Sequence, residues 1–344
     1  FGQIFYGPLS DKYGRKSVLI IGFSIYLIAC IAASVSPTIE TLTLARFFQG
    51  LGGAGPIIVA RAIVRDLYTG ARAGQQLALM SSIMGLAPII APMVGGIIAV
   101  TWGWRSGFII MFIIVAIITT VAVFFLPETL RHRMEGAFSI RNILASFAIV
   151  GRNKTWQRYM SLQAMGQTGL FTFVSASPFV MQGVYGMSPL QFGMAFSVCS
   201  VAFVSGAWMS SRTVARKGLD YAIGTGVILF AIAGAGQLLG YLLFPQHLLA
   251  IFVPELIFFC GVGFVLPNCV AGLLSPFPDR AGAATSLAGF LQMSFSAAVG
   301  LIVVALMRDT ALPFVICTFL MSLGSCVIFL GSRTARALRS GPIH

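Results

Sequence analysis

The sequence predicts an all-α polytopic membrane protein built from two helical halves. Three observations carry this. Apolar runs long enough to cross a bilayer recur along the whole chain, Lys and Arg collect in every second loop, and charge is scarce. Of 344 residues, 58% are hydrophobic and 9% are charged, against about 25% charged in a soluble globular chain. Mean hydropathy is +0.93. The runs are continuous, which excludes a membrane barrel, whose strands alternate over segments of about 10 residues.

A helix crosses the bilayer with about 20 apolar residues. The chain opens with an apolar stub at 1–9 that leads into a basic turn. Ten full spans follow, at 17–36, 41–64, 76–100, 106–126, 159–182, 190–211, 221–244, 247–274, 283–307 and 311–331. The first residue is Phe1 and no signal peptide is visible, as expected of a fragment whose N-terminus is missing. A long polar stretch, 127–158, carries Arg131, His132, Arg133, Glu135 and Arg141. It divides the chain into a first half at 1–130, an inter-half loop at 131–155, a second half at 156–332 and a basic tail at 333–344. Halves of equal size would leave the first without one whole helix and the start of another. A weak internal echo agrees: Gly7–Lys16 after the stub and Gly206–Lys217 in the second half are both small-residue helix ends running into a basic turn.

With the loop after the stub placed in the cytoplasm, all 22 Lys and Arg residues fall on that side except Arg46, Arg105 and Arg308. Positive loops stay inside, so the inter-half loop and the C-terminal tail are expected in the cytoplasm. The same placement accounts for the net charge of +13 without a nucleic-acid partner. The six cysteines lie in apolar runs with no CxxC or Cys/His grouping, so neither a zinc site nor a disulfide framework is implied. His132, His247 and His344 are far apart. No catalytic residue, metal or cofactor is expected.

The most specific segment is Gly7-Pro-Leu9-Ser-Asp11-Lys12-Tyr-Gly14-Arg15-Lys16. A positive-inside loop needs only the cations. Here Asp11 stands among them at fixed spacing, and Gly14 permits a tight turn. This segment resembles the GxLxDRxGRK loop that major facilitator transporters carry between their second and third helices. Next, Arg46-Phe-Phe-Gln49-Gly50-Leu-Gly52-Gly53 resembles the RxxQGxG motif of the drug:proton antiporters in that superfamily. Arg46 lies about 9 Å into its span, where a charge normally faces a cavity or a partner; snorkelling to the outer interface is the plain alternative. Gln49 shares its helix face. Gly50 and Gly53 lie close to that side, where another backbone can approach. Third, Ala87-x-x-x-Ala91-Pro92-x-x-Gly95-Gly96 resembles the antiporter motif GxxxGPxxGG, with Ala replacing two glycines. Its wording, together with Val59–Asp66 and Leu126-Pro-Glu-Thr-Leu130, is similar to the bicyclomycin-resistance (Bcr/CflA-type) family.

That resemblance covers 1–130 closely. It implies a major facilitator fold of two six-helix halves, with helix 1 and the start of helix 2 lacking here. It also implies export of small lipophilic or drug-like molecules from a monomer, driven by the proton gradient, with the Gly7–Lys16 loop latching the halves on the cytoplasmic side. An acidic residue on the missing helix is the usual proton site, and Arg46 is expected to tune it. A nutrient importer on the same fold, or a non-transporting remnant, stays open. In the second half the candidates come from physics. Glu255, after Pro254, is an intramembrane carboxylate and so a functional candidate, unless it lies near the outer interface, paired or solvated. Gln163, Gln167, Asn268 and Gln292 either face a wet cavity or bond between helices.

Overall fold

A computed structural model describes residues 2–68, 70–130, 140–277, 280–307 and 310–337. Among them all regular structure is helical, because a backbone in lipid must satisfy its polar groups internally. The expectations on Arg131, His132, Arg133, Glu135, Arg308, Arg339 and His344 lie outside the described residues. The chain divides into two units, 1–145 and 146–344.

The first unit begins with α1 (Gly2–Tyr13), α2 (Arg15–Ser34), α3 (Ile39–Leu67), α4 (Gly70–Trp102) and α5 (Trp104–Phe125). Helix α2 packs on α3 and α5, and α1 lies against α3 and α2. Tyr6, Val18, Leu19, Val59, Ile63 and Ala122 form the buried core. Thr38 starts α3 with a capping box, its hydroxyl accepting the Thr41 N–H and the Thr41 hydroxyl accepting the Thr38 N–H, which satisfies donors a helix start leaves free. Close approach of α2 and α3 depends on Gly52. A Cβ there would stand 2.6 Å from the Tyr26 nitrogen and 2.7 Å from the Gly22 carbonyl. This corrects the expectation placed on Gly50 and Gly53: a Cβ at Gly50 meets nothing within 4 Å and one at Gly53 touches only the Tyr26 ring.

Helix α6 (Ile140–Gly151) lies within the stretch read from sequence as a polar loop. Ile140, Ile143, Leu144, Phe147 and Val150 recur at helical spacing, and Val150 is buried in the core of the second unit. There follow α7 (Lys154–Pro178), extended by a π-helical turn (Phe179–Val184), then α8 (Pro189–Lys217), α9 (Leu219–Leu243), α10 (Leu248–Leu274), α11 (Ala281–Leu306) and α12 (Leu312–Ala337). Helix α10 packs on α7, α8 and α9, while α7 also meets α11 and α12. Between the Trp156 indole, donating to the Ala284 carbonyl at 3.3 Å, and the Thr168–Ser296 hydroxyl pair at 2.9 Å, α7 and α11 run at a constant offset of 128 residues. Small residues bring backbones together, as in other membrane bundles. Gly206 of α8 faces the Cys260 carbonyl, and Gly263 of α10 faces the Phe203 carbonyl. Phe230 and Phe258 stack at 4.5 Å, and Phe173 meets Phe259 edge-on at 5.0 Å.

Every expected span corresponds to a helix, but among the described residues eight helices are long and apolar enough to cross a membrane. Helix α7 is not one of them. It carries Gln157, Gln163, Gln167, Thr168 and Thr172, and much of its surface is buried inside the unit rather than turned to lipid. Of α4, the apolar stretch so described is Ile89–Trp102.

Three helix-to-helix connections consist of one glycine at positive φ: Gly14 (φ 102°), Gly103 (φ 80°) and Gly218 (φ 83°). The stub therefore continues as helix to Tyr13, and the expected basic loop shrinks to Gly14 alone. Gly14 lies within the first of the two segments that echo each other in sequence, and Gly218 directly follows the second.

Candidate functional site

The turn at Gly14 organises a charged junction. Arg15 is 8% exposed and its guanidinium meets three groups. Nη1 donates to the Ser10 hydroxyl at 2.6 Å and pairs with Asp11 at 2.5 Å, and Nε donates to Asp66 Oδ2 at 3.0 Å. Thr129 donates to the same Asp66 oxygen at 3.3 Å. Glu128, just beyond α5, accepts the backbone N–H groups of Arg15 at 2.9 Å, Lys16 at 3.2 Å and Leu130 at 3.0 Å. A carboxylate at a helix N-terminus satisfies its free donors and meets the positive end of its dipole. Burial works to raise the Glu128 pKa, but the backbone donors of Leu130, Arg15 and Lys16 outweigh it and hold the carboxyl below the usual range. A Cβ at Gly14 would run into that carboxylate. Lys16 Nζ donates to the Val123 carbonyl at 2.7 Å, taking one acceptor left open at the end of α5.

One arginine thus ties α1, α2, α3 and the segment after α5. Of the expected loop residues, Asp11, Gly14, Arg15 and Lys16 come together; Gly7 lies inside α1, its surroundings outside the described residues. Sequence reasoning missed the roles of Asp66 and Glu128, 51 and 113 residues from Arg15. Both stand in the stretches whose wording carried the family resemblance.

A second cluster surrounds Arg46. Its Nη1 donates to Gln49 Oε1 at 2.5 Å, and Gln49 Nε2 donates to the Cys30 sulfur of α2 at 3.1 Å. Gln49 is 3% exposed. Arg46 itself is exposed and stands over the Phe108 ring at 5.8 Å. Arg105, at the other end of α2 from Arg15, donates to the Ser36 carbonyl at 3.0 Å. On α4, Gly96 is buried while Ala91 and Gly95 are exposed and Pro92 is half-buried; a Cβ at Gly95 meets nothing within 4 Å in its own unit.

In the second unit Glu255 sits about 10 Å along α10 from its first residue and is 1% exposed. Gln237 of α9, which sequence reasoning missed, donates through Nε2 to Glu255 Oε2 at 2.9 Å and to the Ile251 carbonyl at 3.4 Å. Its only signal was an amide inside an apolar span. Asn268 donates to the Ser210 hydroxyl of α8 at 2.6 Å and to the Phe264 carbonyl at 2.7 Å, so it bonds between helices. Gln163 and Gln292 are buried, each with its side-chain carbonyl oxygen lacking a partner; Gln167 is half-buried. Arg158 of α7 pairs with Asp220 of α9 at 3.3 Å, and the Tyr159 hydroxyl donates to the same oxygen at 3.2 Å.

These arrangements hold helices together and keep polar groups inside apolar bundles. Comparison with known proteins identifies the family of the chain. The Major Facilitator Superfamily model matches residues 1–301. The chain is 29% identical over 351 residues to a bicyclomycin resistance protein homolog of Haemophilus influenzae, covering 98% of this chain and 85% of that protein. It is 29% identical over 290 residues to multidrug resistance protein D of Escherichia coli, covering 84% and 72%. Among solved structures it is similar to the human organic anion transporter MFSD10, with a TM-score of 0.69 at 18% identity, over 95% of this chain and 79% of that one.

Proposed function

The chain belongs to the major facilitator superfamily, whose members are multi-pass membrane transporters and not enzymes, and on that premise we propose that it exports small drug-like molecules across the bacterial inner membrane in exchange for protons. One observation carries this reading: a relative named for bicyclomycin resistance aligns with 98% of the chain. The motif at Arg46 and the segment around Pro92 support it from the sequence side. The proton gradient is the energy source, with no cofactor, and the working unit is a monomer.

Alternating access requires each half to move as a body around a central site. The Arg15 junction suits that task, because it welds one end of α1, α2 and α3 to the segment after α5. Arg46, held by Gln49, is the cation of the pathway, and Glu255 is the intramembrane carboxylate available to carry a proton. Gln163 and Gln167 offer polar contacts to substrate. The inter-half loop and the C-terminal tail face the cytoplasm.

The test uses everted vesicles carrying the protein expressed from its native gene, with an imposed pH gradient and bicyclomycin as probe. Uptake into the vesicles that collapses when a protonophore discharges the gradient is expected. Uptake equal to that of vesicles without the protein, for bicyclomycin and for a panel of lipophilic cations, overturns the reading.

A further inference from the structure

Arg46 is exposed, yet two groups fix its direction: Gln49 Oε1, which accepts from Nη1, and the Phe108 ring beneath the guanidinium. Gln49 is itself held from the far side. A guanidinium only donates, so the amide must turn its oxygen to Arg46 and its nitrogen away. That nitrogen needs an acceptor at a position only 3% exposed. The fully buried Cys30 sulfur of α2 supplies it at 3.1 Å. Gln163, Gln237 and Gln292 each keep a buried carbonyl oxygen without a partner, whereas both polar atoms of Gln49 are engaged.

Helix α2 is a firm anchor at this level. One turn from Cys30, Tyr26 lies against Gly52 and Gly53, one turn beyond Gln49, where a Cβ on Gly52 would stand 2.6 Å from the Tyr26 nitrogen. The Tyr26 hydroxyl donates to the Met111 sulfur of α5 at 3.5 Å, and Met111 stands one turn from Phe108 on that helix. Both holds on Arg46, the amide and the ring, therefore lead back to α2, one through Cys30 and the other through Tyr26. Without the Cys30 acceptor the Gln49 N–H groups would be buried and unmet. Such a donor is costly, so the amide would rotate toward another acceptor and carry its oxygen off Arg46.

We propose that Cys30 is a positioning residue for Arg46: its sulfur accepts the Gln49 amide and thereby fixes the amide face that holds the guanidinium over Phe108. What this means for transport rests on the exporter reading, in which Arg46 is the pathway cation. The positioning itself rests on the interior of the first unit alone, so the two fail separately. Serine and alanine discriminate at this position. Cys30→Ser keeps an acceptor in place of the sulfur, while Cys30→Ala removes it.

The experiment is nitrogen nuclear magnetic resonance on the protein labelled at its arginines, in lipid nanodiscs, with the Arg46 signals identified as those that vanish in Arg46→Lys. In the unmodified protein the guanidinium should rotate slowly, its two Nη groups resolved. Cys30→Ala should speed the rotation by about 2- to 12-fold, the weight of one neutral hydrogen bond, and Cys30→Ser should bring it back toward the parent. Gln49→Leu should free Arg46 as well, and Cys30→Ala added to it should change nothing more, because both act through one contact. The Arg15 signals, from the other end of α2, should stay as they are in every variant. Arg46 rotation untouched by Cys30→Ala, freed alike by alanine and serine, or freed together with Arg15 in a general loosening overturns the proposal. Bicyclomycin uptake into vesicles carrying the same variants reports separately. It should fall with the freed guanidinium in Cys30→Ala and return in Cys30→Ser. A freed guanidinium with parental uptake refutes the pathway role of Arg46 and leaves its positioning by Cys30 standing.

Discussion

Replacing Gly14 by alanine perturbs the junction at its narrowest point, and the structure sets the size of the effect. Gly14 has φ 102° and ψ 149°, a region that essentially only glycine occupies, so a side chain there costs about 1–3 kcal/mol in the backbone. The new Cβ also overlaps the Glu128 carboxylate. Glu128 must withdraw, freeing the Arg15 and Lys16 N–H groups at the start of α2; losing such a cap costs about 0.5–2 kcal/mol. The combined loss is about 1.5–5 kcal/mol. Denaturant unfolding in mixed lipid–detergent micelles measures it, and a double-mutant cycle divides it. In a Glu128→Ala background, Gly14→Ala should cost only the backbone part, leaving a coupling of about 0.5–2 kcal/mol between the two positions. A Gly14→Ala protein within about 0.5 kcal/mol of the parent, or a cycle with no coupling, refutes the account of this turn.

Glu128 has its folded pKa lowered, so its contribution is present above the unfolded value of about 4.3 and is lost as pH falls through the lower folded value. Thermal stability should decline across that window in the parent and stay flatter in Glu128→Gln. Arg46→Lys keeps the charge but not the planar donor that meets Gln49, and gradient-driven efflux in vesicles should fall by at least tenfold, with Arg46→Ala lower still at equal membrane abundance; near-normal efflux by Arg46→Ala would reduce it to a snorkelling side chain. Asp11→Asn should slow efflux more than it lowers expression, because it removes one of the two carboxylates that hold Arg15. A fluorescent reporter fused to the C-terminus should glow, as only a cytoplasmic tail allows, and a dark fusion contradicts the charge-based orientation.

The helices were legible in sequence because lipid imposes one length and one kind of side chain on anything that faces it. Where a segment faces protein instead, that signal fades. Helix α7 carries glutamines and threonines because its surroundings are other helices, and it reads as a span only through its neighbours. Helix α6 was missed because the polar residues before it masked a short apolar periodicity. The sites divide in the same way. Asp11, Gly14, Arg15 and Lys16 stand within six residues of one another and were visible as a group. Asp66, Glu128 and Gln237 gain their meaning from partners brought by the fold, and no spacing announces them. Gly52, not Gly50 or Gly53, proved to be the close-approach position, since a stripe of glycines does not say which of them meets the next backbone.

The glycine connections at positions 14, 103 and 218 bear on how force would pass through the molecule. A joint of one residue stores almost no slack. When one helix of such a pair is pushed, its neighbour must answer at once, as meshed gears do when there is no backlash. A joint of six or eight flexible residues would absorb the same push in its own writhing and transmit little. Chain statistics charge about 1.6–1.8 kcal/mol for lengthening one residue to six or eight, so folding supplies part of the reason to keep these joints short. Their shortness is what a linkage requires if a small displacement at one end of a helix is to arrive undiminished at the next.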